Sequence, residues 1–216
     1  MNITAILNII GNVMKYEIIL LLIPFFVALF YGQGDANAFL YTVLLMIPIA
    51  LILIKIKGKK NEIYAKEGFL TVGLAWIVIS FFGALPFVFS GAIPSLVDAF
   101  FETSSGFTTT GASILTEIQS LPKGILFLRS FTHWVGVMGF LIFILALMPT
   151  FSGNTIHLLK AESPGPTPGK IVPKIKQTAK ILYAIYFVLT LIETIFLKSA
   201  GLSWYDSIIH ALGTAG

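Results

Sequence analysis

Five apolar stretches, each near the twenty residues a helix needs to cross a bilayer, divide this chain. They are Val13–Tyr31, within a helical run starting near Thr4; Ala38–Ile54, with Pro48 as an expected kink; Gly68–Ser90; Ile125–Pro149; and Ile181–Leu197. Only 11% of the 216 residues are charged, and 56% are hydrophobic. Soluble domains carry about 25% charged residues, and a soluble core of this length could not hide so much apolar surface. The expected class is an all-α polytopic membrane protein. The first stretch is the weakest, because Lys15 and Glu17 sit near its start. Ala36-Asn37-Ala38 has the small-x-small form of a leader cleavage site. The region before the apolar run is poorly basic, however, so a retained helix is expected.

The basic residues set the expected orientation. Lys55, Lys57, Lys59, Lys60 and Lys66 follow the second stretch, and Lys160, Lys170, Lys174, Lys176 and Lys180 follow the fourth. These ten of the 14 Lys and Arg residues flank two intervening spans and so lie on one side. The positive-inside rule makes that side, and the N-terminus, cytoplasmic. The net charge of +4 is therefore a topology signal, and no nucleic acid is expected as a partner. The absence of Cys excludes disulfides, Cys-ligated zinc and a thiol nucleophile.

Between the third and fourth stretches the chain is too polar to span and too patterned for a plain loop. Ser95 followed by Asp98 fits a helix N-cap with an acid at its third position. Ala99–Ser104 is expected as a short helix that Gly106 ends, followed by Thr108-Thr109-Thr110-Gly111 as an extended strand. After the fifth stretch, Ser203 and Asp206 repeat the spacing and Gly213-Thr214-Ala215-Gly216 returns to small residues. Such repetition is a strong architectural signal. A re-entrant strand of carbonyls can replace the hydration shell of an alkali ion. The short helix adds the partly negative charge of its C-terminal end. A Thr-rich external turn is the plainer reading of the motif alone; the repeat and the membrane setting favour a pore loop.

Phe100-Phe-Glu-Thr-Ser-Ser-Gly-Phe-Thr-Thr-Thr-Gly-Ala112 resembles the first filter of the Trk/Ktr potassium transporters, TrkH type. The likeness extends to Glu67-Gly-Phe-Leu70, Gly83-Ala-Leu-Pro-Phe87, His133-Trp-Val-Gly-Val-Met-Gly-Phe140 and Lys160-Ala-Glu-Ser-Pro-Gly-Pro166. The resemblance implies potassium-channel-like M1–P–M2 repeats, four in one polypeptide, preceded by two extra transmembrane helices. Residues 1–60 would hold the extra pair and 61–155 the first repeat, with its filter at 108–112. Residues 156–178 would be a cytoplasmic linker and 179–216 the start of a second repeat. It implies potassium bound by the filter carbonyls of Thr108, Thr109, Thr110 and Gly111, centrally at Thr109 and Thr110, with no organic cofactor. It also implies potassium uptake across the cytoplasmic membrane of a prokaryote, a cytosolic TrkA-like nucleotide-binding partner, and a homodimer. Ser152–Lys180 is the expected part of the partner surface. Asp98 and Gly111 are thirteen positions apart, and the equivalent glycine after Asp206 would fall beyond Gly216. A partial sequence is expected, without repeats three and four, the gating loop or the later pore-facing Arg.

Other residues are weighed against plainer roles. Ser95, Asp98, Glu102, Ser203, Asp206 and His210 are expected to support the two short helices. Glu102 and His210 hold equivalent places and are expected to make hydrogen bonds behind the filter. His133 lies among small residues that favour close helix packing and lacks companions for a metal. Glu193 is expected to find a polar partner or water, and Arg129 to snorkel to the interface. Ser163–Pro173 reads as a stiff non-helical linker and Gly58–Asn61 as a turn. No nucleophile elbow, His-Glu-x-x-His or phosphate loop points to an enzyme. A non-conducting scaffold and a sodium/potassium symporter remain as alternatives.

Overall fold

The computed structural model describes residues 2–56, 65–139 and 171–216, and within these the regular structure is helical. Two long helices come first, α1 (Ile3–Tyr31) and α2 (Ala36–Lys55). Asn2 caps α1 by accepting the Ala5 amide, and Gly32 ends it in the left-handed region at φ 63°. The short turn makes the pair antiparallel. Along α1 the buried Ile6, Ile10, Met14, Leu21 and Ala28 recur every four or seven residues, so they share one face. Phe39, Val43, Met46 and Ala50 of α2 recur at three or four and join the same core. Gly11 lets the chains touch, since a Cβ there would lie 2.7 Å from Leu53 Cβ. The Asn8 amide donates to the carbonyls of Ile54 (2.7 Å) and Ile56 (3.2 Å), closing the end of α2 from the side of α1. Ala36-Asn37-Ala38 forms the first turn of α2, with Ala38 buried.

Glu17 lies on the buried face of α1, whereas Lys15 is exposed. Both Glu17 carboxylate oxygens lack a hydrogen-bond partner among the described residues.

α3 (Ala65–Phe89) packs on both helices of the pair and on α4 (Leu96–Phe107). α5 covers residues 123–139 as described, so the rest of the fourth apolar stretch lies outside the described residues, as does the turn at 58–61. α6 (Ile171–Ser199) precedes α7 (Trp204–Ala215). α6 already includes Pro173, which corrects the expectation of a non-helical linker to that point. A proline is tolerated in a first helical turn because no intrahelical amide bond is due there. Thr190 and Thr194 bond back to the carbonyls one turn earlier, which satisfies their hydroxyls within an apolar helix.

Among the described residues, four helices, Ile3–Tyr31, Ala36–Lys55, Glu67–Phe89 and Gln177–Ser199, are long and apolar enough to cross a membrane. Large apolar side chains such as Phe30 (83% exposed), Phe26, Ile52, Ile195 and Phe196 cover their outer faces, a surface suited to lipid. α4 and α7, at twelve residues each, reach roughly 18 Å at 1.5 Å per residue. That is too short for a hydrocarbon core of about 30 Å.

Candidate functional site

Two short helices, one design, define the site. Ser95 Oγ accepts the Asp98 amide at 3.4 Å, and Ser203 Oγ accepts the Asp206 amide at 3.1 Å. Ser203 also donates to the Asp206 carboxylate at 2.6 Å. Ser95, Asp98 and Ser203 are exposed at these helix starts, and Asp206 is half-buried.

α4 is longer than expected. It runs through Gly106 to Phe107, and its reversal comes later, at Thr109. Thr109 donates to the Gly106 carbonyl at 3.0 Å and Thr110 to that of Ser105 at 2.9 Å. This pair of bonds is a Schellman motif, whose left-handed residue is normally glycine. Here it is Thr109, at φ 56°, a conformation a β-branched residue rarely adopts. Gly111 follows with φ 75°. The Thr segment therefore begins as a strained turn and not as the plain extended strand expected. Thr108 Oγ1 donates to the Ser104 carbonyl and lies 2.8 Å from Thr110 Oγ1. Among the described residues, no hydrogen bond reaches the carbonyls of Thr108, Thr109, Thr110 or Gly111. Thr108, Thr110 and Gly111 are exposed, and Thr109 is half-buried.

Gly106 serves packing. A Cβ there would collide with Thr132 Oγ1 on α5, and one at Gly136 would collide with the Phe107 carbonyl oxygen. On the other flank, a Cβ at Gly83 of α3 would lie 2.8 Å from Thr103. Three glycine contacts thus seat the end of α4 between α3 and α5.

Glu102 organises the return of the chain. Its carboxylate accepts Arg129 Nε at 2.7 Å, the Ser113 hydroxyl at 2.9 and 3.0 Å, and the Ile114 amide at 3.0 Å. The Glu102 side chain is 2% exposed and that of Arg129 18%. Arg129 therefore pairs with Glu102 instead of snorkelling. His210, at the place in α7 that Glu102 holds in α4, is exposed. It lines a cavity of about 780 Å³ with Asp206, Thr214, Lys123, Arg129 and Ser130.

The end of α7 is held differently. The Tyr186 hydroxyl lies 3.1 Å from the Ala215 carbonyl and 3.3 Å from that of Trp134. Trp134 stacks on Tyr186 at 5.4 Å and donates to Thr190 Oγ1 at 3.1 Å. Sequence reasoning missed Tyr186, whose hydroxyl is one among several in an apolar helix. His133 is half-buried, and a Cβ at Gly216 would lie 2.5 Å from its own. Glu193 is half-buried. Among the described residues, no three His, Asp or Glu gather as a metal site would require.

The family model described as TrkH, cation transport protein, matches residues 35–212. The Trk system potassium uptake protein TrkH of Escherichia coli (strain K12) is 40% identical over 218 residues, covering 99% of this chain and 45% of that protein. The protein of the same name from Halomonas elongata is 34% identical with the same coverage. The crystal structure of the potassium transporter TrkH from Vibrio parahaemolyticus superposes with a TM-score of 0.82 at 32% identity, over 98% of this chain and 42% of that one. The chain thus spans less than half the length of these relatives. It belongs to the TrkH family of cation transport proteins.

Proposed function

We propose that this chain forms part of the membrane subunit of a potassium uptake system. In this reading α1 and α2 are the extra pair, α3–α4–α5 is the first M1–P–M2 repeat, and α6–α7 begins the second. Thr108, Thr109, Thr110 and Gly111 contribute one quarter of a selectivity filter. The observation that carries the reading is the row of four carbonyls to which no described residue donates, following directly on the C-terminal end of α4. Carbonyl oxygens suit an alkali ion because they replace its water without a full negative charge that would trap it. The aligned carbonyls of α4 add partial negative charge at the same end. Positive φ at Thr109 and Gly111 turns the backbone where regular structure would consume those oxygens.

The lysine distribution supports a cytoplasmic N-terminus in a prokaryotic inner membrane, with the filter on the outer side. A cytosolic TrkA-like nucleotide-binding partner and a pairing of two copies follow from the family resemblance. Most of the segment assigned to the partner surface, 152–170, lies outside the described residues. Coupling to sodium belongs to the same reading as an alternative ion preference.

The test is growth of a potassium-uptake-deficient bacterium at limiting potassium, with the protein expressed from its native gene. The wild type is expected to rescue, and Gly111→Asp is expected to lose rescue while still inserting in the membrane. Equal, potassium-selective rescue by Gly111→Asp would end the filter assignment. Insertion without rescue by the wild type, even with a nucleotide-binding partner supplied, would end the uptake assignment.

A further inference from the structure

One residue outside the filter gathers three separated parts of the fold. Lys123 opens α5. Its amide, which has no intrahelical acceptor so early in a helix, donates to Gln33 Oε1 at 2.6 Å. Two residues on, the Ile125 amide donates to Asp35 Oδ2 at 3.2 Å. The start of α5 is thus capped by the turn between α1 and α2, ninety residues away in sequence. Gly124 permits this, because a Cβ there would lie 2.5 Å from Ala28 Cβ and would collide with Asp35 Oδ2.

The other side of Lys123 faces α7. The Tyr205 hydroxyl donates to the Lys123 carbonyl at 2.6 Å. The Lys123 ammonium lies 4.6 Å from the ring centre of Tyr31, the last residue of α1, and 4.6 Å from that of Tyr205. The two rings also meet edge to face at 5.2 Å. Leu20 and Val27 of α1 pack on the cluster that Tyr205, Ile209 and Leu212 of α7 form with Phe127 and Phe131.

We propose that Lys123 is a positioning residue through which the α1–α2 pair sets the placement of α7 beside the pore. The proposal rests on the reading of α4 and α7 as pore half-helices. It assigns the extra pair a task that its apolar surface alone does not reveal, that of fixing the second half-helix by its N-terminal end. Among the described residues, α7 has no counterpart of the buried Glu102–Arg129 pair, and His210 stands exposed at that place. Its alignment rests on this N-terminal clamp together with the Tyr186 hydroxyl at its other end. A cation between two aromatic faces suits the role, being attractive to both rings while the backbone of the same residue donates one hydrogen bond to Gln33 and accepts one from Tyr205.

The experiment compares potassium and sodium uptake by the protein expressed from its native gene in a potassium-uptake-deficient host, with membrane insertion quantified for each variant. Lys123→Met, which keeps the length and removes the charge, is expected to lower the preference for potassium over sodium by roughly fivefold. Tyr31→Leu, on the extra pair, is expected to shift the preference in the same direction. Lys123→Arg should restore it, because a guanidinium also stacks on aromatic rings. Should Lys123→Met fail to accumulate, Tyr205→Phe, which keeps the ring and removes the bond to the Lys123 carbonyl, should show a smaller shift of the same sign. Unchanged preference in Tyr31→Leu and in Lys123→Met or Tyr205→Phe overturns the proposal. Gly111→Asp, run alongside, separates the two failures. If it abolishes uptake while the Lys123 and Tyr variants match wild type, the pore reading stands and the clamp falls. If it leaves selective uptake intact, the pore reading falls and takes the clamp with it.

Discussion

Glu102 and Arg129 meet at 2.7 Å between α4 and α5, and the same carboxylate holds the Ser113 hydroxyl and the Ile114 amide. The acid is almost wholly buried, so these donors stand in for the water its oxygens have lost. The pair therefore ties three things together: α4, α5, and the chain returning after the Thr108–Gly111 segment.

Removing one partner should cost more than removing both. Arg129→Met leaves the carboxylate buried without its cation, a loss of about 3 kcal/mol. Glu102→Gln with Arg129→Met removes the stranded charge and should recover at least half of that. Thermal unfolding of the purified protein in detergent, run as a double-mutant cycle, reads the difference. Strictly additive losses would show that the two side chains do not act on each other.

Glu17 presents the opposite case, a buried acid whose oxygens have no partner among the described residues. An unpaired buried polar group costs about 1–3 kcal/mol by mutational measures, and a well-packed apolar side chain in its place removes that cost. Glu17→Leu is expected to raise the unfolding midpoint. A lower midpoint would mean that the carboxyl makes an interaction worth more than its desolvation.

Much of this fold is legible in the sequence, for physical reasons that can be named. Long apolar runs leave helices as the economical solution, and Ser95–Asp98 and Ser203–Asp206 announce helix starts because capping is local chemistry. The end of α4 was harder. Gly106 carries the residue type of a helix stop, but its missing side chain is used for contact with Thr132. The left-handed turn falls to Thr109, a residue whose own preference opposes it. Tertiary packing overrides propensity there. The partner of Arg129 is hidden for a similar reason, since an apolar stretch does not reveal that a buried acid waits on a neighbouring helix.

Thr109 lends itself to a direct test. A β-branched residue in the left-handed region carries strain of about 1–3 kcal/mol. Glycine relieves that strain but adds freedom to the unfolded chain. Thr109→Gly should therefore stay within about 1 kcal/mol of wild-type stability while its loosened backbone lowers potassium preference. Zero-current potentials in mixed potassium and sodium solutions would measure this. Unchanged preference would mean that the strained Thr does not shape the ion path.

Glycines in this protein divide by what surrounds them. Gly136 meets the Phe107 carbonyl, whereas Gly73 within α3 has nothing within 4 Å. Gly136→Ala should lose about 1–3 kcal/mol from overpacking, and Gly73→Ala should gain about 0.5–1 kcal/mol from helix propensity. Paired thermal unfolding measurements check both signs. Equal effects at the two positions would contradict the close seating of α4 on α5.

Tyr186 gives the last prediction. Its hydroxyl lies within hydrogen-bond distance of the Ala215 and Trp134 carbonyls, and its ring stacks on Trp134. A phenol has one proton to donate, so the two carbonyls share it. Tyr186→Phe keeps the stack and removes only that donor, a change worth about 1 kcal/mol. The freed Ala215 carbonyl stands at the C-terminal end of α7, where the proposed second filter segment begins. The variant should insert normally and change the apparent affinity for potassium by a few-fold, since about 1 kcal/mol corresponds to roughly fivefold. Uptake measured across potassium concentrations separates an affinity change from a change in maximal rate. A fall in maximal rate alone, in proportion to the protein present in the membrane, would reduce Tyr186 to a stabilising contact.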